Sequence, residues 1–136
     1  MTYVPNRSLV LIADDDAAMR QMLAVSLRNE GFEVGECSDG RDLLDTLRAG
    51  ETSSPPSVVV TDMRMPGVDG LDVLYWVERW CPEVPVILIT AFGDRHTHQR
   101  ARQLGAARVI DKPFELEQLH EAVTEAIERR SPVEVT

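Results

Sequence analysis

One stretch of the sequence, residues 58–67, constrains the fold more strongly than any other. It begins with three consecutive valines, and an uninterrupted run of β-branched residues is typical of a strand that is covered on both faces. The run ends at Asp62 and then reaches Pro66-Gly67, whose fixed and permissive backbones favour a turn. The stretch therefore predicts a central strand of a sheet, with Asp62 at the carboxyl end of that strand.

Four further segments have the composition of strands. Each of the five predicted strands is followed by apolar residues at helical spacing. These segments are residues 9–13, 32–37, 85–90 and 108–111. Alternating strands and helices predict a parallel sheet with helices on both faces. The second strand interleaves apolar with acidic residues and the fifth is very short, so both belong at edges, which fits the order 2-1-3-4-5. The predicted fold class is α/β, a doubly wound (βα)5 sheet of flavodoxin-like topology.

Length and charge limit the partners of the chain. Its 136 residues fit one domain, which we place at residues 1–130, followed by a disordered tail at 131–136.

A net charge of −9 repels phosphate backbones, so direct nucleic-acid binding is not expected. There is neither a basic leader before a long apolar segment nor a run of about 20 apolar residues, so we expect a cytoplasmic protein without a membrane partner. Cys37 and Cys81 are isolated, which favours reduced structural thiols.

The segment after the central strand has two helical features. Asp69 and Asp72 have the spacing of a capping box at a helix start. Trp76 and Trp80 lie four residues apart and flank the apolar positions of this helix. We expect both tryptophans in core and rim packing.

Acidic side chains follow the first and third predicted strands. These strands are neighbours in the predicted order, and their helices leave on opposite faces, which creates the crevice where α/β proteins bind ligands. Asp14, Asp15 and Asp62 therefore converge, with a repulsion of roughly 3 kcal/mol per pair at about 5 Å and an effective dielectric constant of about 20. A divalent cation removes this penalty, and oxygen ligands without Cys or convergent His suit Mg²⁺. Thr90 and Lys112 end the next two strands and complete the outline of a phosphoryl pocket.

Each of these residues also has a plainer interpretation. Asp16 is expected to be a helix cap, and Asp14 could share that role. Lys112 could be a surface lysine, and Thr90 an ordinary residue at a strand end. A turn residue before Pro-Gly would account for Asp62 alone, but not for the acids that converge with it.

Four motifs, in this order along nearly the whole chain, resemble the receiver domain of two-component response regulators. They are Asp14-Asp15, then Asp62 with Met65-Pro66-Gly67 and Asp69-Gly70, then Thr90-Ala91, and finally Lys112-Pro113-Phe114. The resemblance implies that Asp62 is the phosphoacceptor, which attacks the phosphorus of a phosphohistidine and forms an acyl phosphate. The donor would be a sensor histidine kinase or a phosphotransfer protein.

The resemblance also implies a metal site. Asp15 and Asp62 would bind Mg²⁺, or Mn²⁺ in its place, directly. Asp14 would help through a water molecule, and the main-chain carbonyl of Arg64 would complete the ligands from the protein.

The other side of the implied pocket would bind the phosphoryl group. Lys112 would pair with the phosphoryl oxygens, and Thr90, followed by Ala91, would swing to donate a hydrogen bond to one of them. The peptide bond between Lys112 and Pro113 is expected to be cis in this family.

The sequence departs from the family pattern in one switch position. The residue three before Lys112, commonly aromatic in receivers, is Val109, so a rotating ring cannot report phosphorylation there. We expect the signal to pass through the helix at 94–104, which has little apolar surface to anchor it. Arg64 and Phe92, each two residues beyond a motif residue, are candidates for setting the phosphoryl lifetime, Phe92 by excluding water.

Other functions remain as alternatives. A haloacid-dehalogenase type of phosphatase requires a second Asp two residues after the nucleophile, where this chain has Arg64, so we expect a signalling phosphoacceptor and not an enzyme. A receiver-like module that binds proteins without phosphorylation is a second alternative. The chain could also be the isolated receiver of a longer transcriptional regulator. Expected partners downstream are a protein or effector domain, and a homodimer could form on phosphorylation.

Overall fold

Ten strands and helices alternate along the described part of the chain. The structure is a computed structural model, and it describes residues 8–49, 55–91 and 95–130. The strands are β1 Leu9–Ala13, β2 Glu33–Cys37, β3 Val58–Asp62, β4 Val86–Thr90 and β5 Arg108–Asp111. The helices are α1 Ala17–Asn29, α2 Gly40–Ala49, α3 Gly70–Trp80, α4 Arg95–Gln103 and α5 Leu116–Arg130. Within these ranges, no helix has both the length and the apolar composition to cross a membrane. The predicted tail at 131–136 lies outside the described residues.

The five strands form one parallel sheet in the order β2-β1-β3-β4-β5, which confirms the predicted topology and fold class. Every residue of β3 is buried, as its run of β-branched residues predicted, whereas β2 is partly exposed at the sheet edge. Ala13 of β1 is opposite Thr61 of β3. The residues that follow them, Asp14 and Asp62, are therefore brought to the same carboxyl edge.

Two apolar layers cover the sheet, because alternate residues of each strand point to opposite faces. On one side, Val10 and Ile12 of β1 belong to a buried cluster with residues of α1 and α5. On the other side, Leu11 and Ala13 belong to a cluster with residues of α2, α3 and α4. Carboxylates at the ends of β1 and β3 thus sit on a scaffold that is packed from both sides.

Aspartate side chains start three of the helices. Asp16 accepts hydrogen bonds from the first turn of α1, at 3.0 and 3.2 Å. Asp39 accepts one from the amide of Asp42 at 2.8 Å, and Asp69 and Asp72 form a reciprocal capping box. Each such cap stabilises a helix by about 1 kcal/mol. The capping roles predicted for Asp16, Asp69 and Asp72 are confirmed.

Helix α4 is weakly anchored, as its sequence predicted. Ala101 is its one buried residue, and Arg95, Arg100 and Arg102 are exposed. A side-chain contact joins it to β5, where His98 Nε2 lies 2.9 Å from Asp111 Oδ1. Asp94, the expected first residue of this helix, lies outside the described residues.

Of the core and rim packing predicted for the two tryptophans, the structure shows only the rim position. Trp76 and Trp80 are 38% and 39% exposed, so they are not core residues. Val73, Leu74 and Val77 form the buried stripe of α3, and this stripe already fills the space between the helix and the sheet. The rings are left on the outer flank of an amphipathic helix.

Candidate functional site

Three carboxylates meet at the carboxyl edge of the sheet. One side-chain oxygen from each of Asp14, Asp15 and Asp62 lies within 4.8 Å of the others. Asp14 and Asp62 are 2% and 7% exposed, whereas Asp15 is exposed to solvent. The cluster is therefore buried at Asp14 and Asp62 and open to solvent at Asp15.

Backbone and side-chain contacts fix Asp14. Its amide donates to the carbonyl of Cys37 at 3.3 Å, and its Oδ1 accepts from the amide of Asp16 at 2.9 Å. The Arg20 guanidinium donates to its carbonyl at 2.7 Å and lies 3.6 Å from Glu36. Arg20 thus ties the loop after β1 to α1 and β2.

Asp62 is held between its own loop and β5. Oδ2 accepts a hydrogen bond from the amide of Arg64 at 3.0 Å. Oδ1 forms an ion pair with Lys112 Nζ at 2.9 Å and has no further partner within the described residues. A carboxylate oxygen accepts more than one hydrogen bond, so this buried oxygen of Asp62 keeps acceptor capacity for another group.

The loop after Asp62 is packed closely against the sheet. Met65 is buried, and its sulfur lies 4.0 Å from the Thr61 hydroxyl. The amide of Gly70 donates to the carbonyl of Met63 at 2.8 Å. A Cβ at Gly70 would lie 2.7 Å from the Asp62 carbonyl oxygen, so only glycine fits there without displacing the backbone that carries Asp62.

Burial and charge act in opposite directions on the ionisable groups of the site. Burial raises the pKa of Asp14, and the charges of Asp62 and Asp15 add to the rise, against the Asp16 amide and Lys112, which lower it. Burial lowers the pKa of Lys112, but the carboxylates of Asp62, Asp14 and Asp16 outweigh it, so that its pKa is raised overall. Lys112 is therefore a cation at neutral pH, and the cluster holds excess negative charge.

The remaining predicted residues lie on β4 and β5 or directly after them. Thr90 is buried at the end of β4, and its carbonyl accepts from the amide of Lys112 at 2.8 Å. Ala91 is exposed, and the Lys112–Pro113 peptide bond is cis. Val109 is half-buried on β5, in contact with the apolar layer of α2, α3 and α4.

The candidates for setting the phosphoryl lifetime are described only in part. Arg64 is exposed and lines an open cleft of about 580 Å³. The other residues that line the cleft are Asp15, Met63, Met65, Pro66 and Asp69. Phe92 lies outside the described residues.

The donor set fits a hard divalent cation. Three carboxylates converge, and they include the buried Oδ1 of Asp62, whose one partner in the described part of the chain is Lys112. No cysteine or histidine belongs to this group of residues. Oxygen ligands of this number, open to solvent on one side, suit Mg²⁺ with several retained waters.

One residue of the site was not predicted from the sequence. Arg20 reaches back six residues to the Asp14 carbonyl, and its position on the first turns of a helix has no motif to mark it. The one available signal was the neighbouring run of acids, which attracts a cation without indicating which atom the cation will contact.

A doubly wound sheet with acids at the β1 and β3 ends and a lysine at the β5 end defines a receiver domain. The sequence profile of the response regulator receiver domain matches residues 10–124. The chain belongs to this family.

Individual relatives agree with this assignment. The chain is 39% identical over 121 residues to the C4-dicarboxylate transport transcriptional regulatory protein DctD of Pseudomonas aeruginosa, covering 89% of this chain and 25% of that protein. It is 30% identical over 122 residues to sporulation initiation phosphotransferase F of Bacillus subtilis, covering 90% and 95%. A response regulator receiver domain protein from Clostridium thermocellum has a similar structure, with a TM-score of 0.84, 30% identity, and coverage of 90% and 96%. The chain thus spans about a quarter of DctD, but nearly all of phosphotransferase F.

Proposed function

We propose that Asp62 accepts a phosphoryl group from a phosphohistidine on a sensor histidine kinase or a phosphotransfer protein, with Mg²⁺ or Mn²⁺ bound at the carboxylate cluster. Asp15 and Asp62 would bind the metal directly, Asp14 through water, and Arg64 through its carbonyl. The observation that carries the proposal is the placement of a buried Asp62 between two acids on one side and Lys112, at 2.9 Å, on the other.

The transfer replaces one bond to phosphorus with another. A carboxylate oxygen of Asp62 forms a bond to phosphorus as the bond from phosphorus to the histidine nitrogen breaks, and that nitrogen keeps the electron pair. The metal, when bound, supplies positive charge near the phosphoryl oxygens and offsets the repulsion among the carboxylates. In-line positioning and charge stabilisation supply most of the catalysis in such transfers.

Residues of this chain orient the group on both sides. The Arg64 amide holds Asp62 Oδ2 at 3.0 Å and so limits rotation of the carboxylate. Lys112 exchanges its ion pair with Asp62 for one with the phosphoryl oxygens, since Asp62 loses its charge in the acyl phosphate. Thr90, at the adjacent end of β4, donates its hydroxyl to the same oxygens.

The function is that of a switch and not of a turnover enzyme. The chain phosphorylates itself at most from small donors, slowly hydrolyses the product, and acts in the cytoplasm. Phosphorylation changes the contacts of α4 with a downstream protein or effector domain, or promotes a homodimer. The weak anchoring of α4 supports this assignment, because a helix with little buried surface is displaced at low cost.

The test is the intact mass of the chain after incubation with acetyl phosphate or phosphoramidate, with and without Mg²⁺. We expect a metal-dependent gain of one phosphoryl group in the native chain and none in Asp62→Asn. Asp16→Asn is the matched control, because Asp16 directly follows Asp14 and Asp15 in the sequence but caps α1. This variant should gain the phosphoryl group normally. Absence of any gain from both donors would contradict the proposal and favour a module that works without phosphorylation.

A further inference from the structure

Five side chains form an exposed surface on α2 and α3, which we call the aromatic–arginine patch: Tyr75, Trp76, Trp80, Arg48 and Arg79. The three aromatic residues are between 38% and 42% exposed. The chain contains two tryptophans and two tyrosines, so half of its tyrosines and both of its tryptophans lie on this one surface. Phe32 and Phe114 pack against the core, whereas these three larger rings lie on the surface.

The patch is ordered by contacts among its own members. The rings of Tyr75 and Trp76 meet edge to face with centroids 5.0 Å apart, and those of Trp76 and Trp80 are 5.3 Å apart. The Arg48 guanidinium lies 5.3 Å from the Trp80 ring centre, and that of Arg79 lies 5.5 Å from the Tyr75 ring centre. Such contacts hold side chains in place before a partner arrives, which reduces the entropy lost on binding.

Packing within the domain does not account for the patch. Val73, Leu74 and Val77 provide the buried stripe of α3, and the outer flank of an amphipathic helix is ordinarily polar. Exposed apolar surface costs solubility, and grouped aromatic and arginine side chains are characteristic of the energetic centres of protein interfaces. The patch therefore has the composition of a binding surface.

The charges of the patch indicate the chemistry of its partner. Among the described residues, neither Arg48 nor Arg79 forms an ion pair with a carboxylate. Two acids of the same helices are engaged elsewhere, since Asp72 closes the capping box and Asp45 lies 3.7 Å from Arg41. On a protein with a net charge of −9, two guanidinium groups that no described carboxylate pairs with, beside apolar rings, favour an acidic and apolar ligand.

We propose that the aromatic–arginine patch binds a segment of another protein in which acidic residues flank apolar ones. Apolar side chains of the segment cover the rings of Trp76 and Trp80, and its carboxylates pair with Arg48 and Arg79. None of these five residues belongs to the carboxylate cluster or to the cleft beside it. Binding at the patch therefore does not require phosphorylation of Asp62.

The experiment selects ligands from a display library of random short peptides on the full chain. We expect enriched peptides to combine Asp or Glu with Leu, Ile or Phe. A synthetic copy of an enriched peptide is then titrated while tryptophan fluorescence is recorded, because both tryptophans of the chain lie in the patch and report its occupancy directly.

Matched variants separate the patch from the rest of the surface. The double variant Arg48→Gln with Arg79→Gln keeps both side chains polar but removes their charges, and it should bind the peptide at least about tenfold more weakly, as expected at the centre of an interface. Arg100→Gln, which removes an exposed arginine of α4 outside the patch, and Asp62→Asn should both bind as tightly as the native chain. A normal circular dichroism spectrum of the double variant would exclude misfolding as the cause.

Several results would overturn the proposal. These are a selection without enrichment, enrichment of basic peptides, or binding that the double variant retains. A fluorescence change on concentrating the chain alone, with dimers in sedimentation velocity, would assign the patch to a second copy. A change with vesicles of phosphatidylglycerol and phosphatidylcholine, but not with the peptide, would assign it to a lipid surface.

Discussion

Lys112 Nζ lies 2.9 Å from Asp62 Oδ1, so an ammonium group from β5 already neutralises part of the carboxylate cluster that β1 and β3 build. The lysine thus has two opposing effects. It competes with a cation for the charge of Asp62, and it is available to bind the phosphoryl oxygens once that charge is lost.

Replacing Lys112 should separate these two effects. We expect Lys112→Ala to bind Mg²⁺ more tightly, by roughly three- to tenfold, because a competing positive charge is removed. The same variant should be phosphorylated about 100-fold more slowly, since one charge-stabilising group is lost. Calorimetric titration of Mg²⁺ and the rate of mass gain with acetyl phosphate measure the two quantities.

Lys112→Arg is the control for charge alone. It should leave the Mg²⁺ affinity close to that of the native chain. It should not restore the native rate of phosphorylation, because a planar guanidinium cannot replace a compact ammonium in the same space. Weaker Mg²⁺ binding by Lys112→Ala would contradict the view that the lysine and the cation compete.

Asp14→Asn should stabilise the metal-free protein at neutral pH by about 1 kcal/mol, the usual size of a gain at a strained functional site. Burial is the main cause of the raised pKa of Asp14, so its ionised form opposes folding. The asparagine can keep the hydrogen bond from the Asp16 amide at 2.9 Å without carrying the charge. Urea denaturation in the presence of a chelator measures the difference.

The pH dependence of this difference has a defined sign. The folded state binds the Asp14 proton more tightly than the unfolded state, so the penalty is complete above the folded pKa. It fades as the pH falls toward the ordinary value of 3.8, and the difference due to this charge should be gone below that pH. An advantage of Asp14→Asn that persists unchanged to this pH would show that charge is not its origin.

Gly70→Ala should destabilise the fold by about 2 kcal/mol, a typical cost of overpacking. The new Cβ would meet the Asp62 carbonyl oxygen at 2.7 Å, Met63 Cα at 2.8 Å and the Leu88 side chain at 2.9 Å. Because two of these three atoms are backbone, we also expect slower phosphorylation of Asp62. Thermal unfolding and the mass assay test the two effects.

Gly67→Ala provides the comparison for Gly70→Ala. Gly67 has a φ of 78° with open space around it, so alanine there adds backbone strain of about 1 kcal/mol without a clash. A cost at Gly67 that equals or exceeds the cost at Gly70 would contradict the role assigned to close packing.

The sequence predicted the sheet and the convergence of the acids because both depend on local pattern and on rules of topology. The buried valines of β3 and the partly exposed β2 set the strand order, and parallel strands bring their carboxyl ends to one edge. The contact of Arg20 and the exposure of Trp76 were not predicted, because each depends on a helix rotation and a side-chain rotamer that periodicity does not determine. The roles of the clustered residues in phosphorylation stay predictions.

Phosphorylation should change amide hydrogen exchange in α4 more than in any other described helix. This helix buries Ala101 alone, it follows Thr90 of the site, and Val109 offers no ring to carry the signal. We expect faster or slower exchange by about tenfold or more in 95–103, which corresponds to a shift of about 1.4 kcal/mol in local stability. Helix α1, whose Leu23 and Leu27 are buried in the core, serves as the internal control and should be little affected. Exchange in α4 that is unchanged between the phosphorylated chain and Asp62→Asn would show that the signal leaves the site by another route.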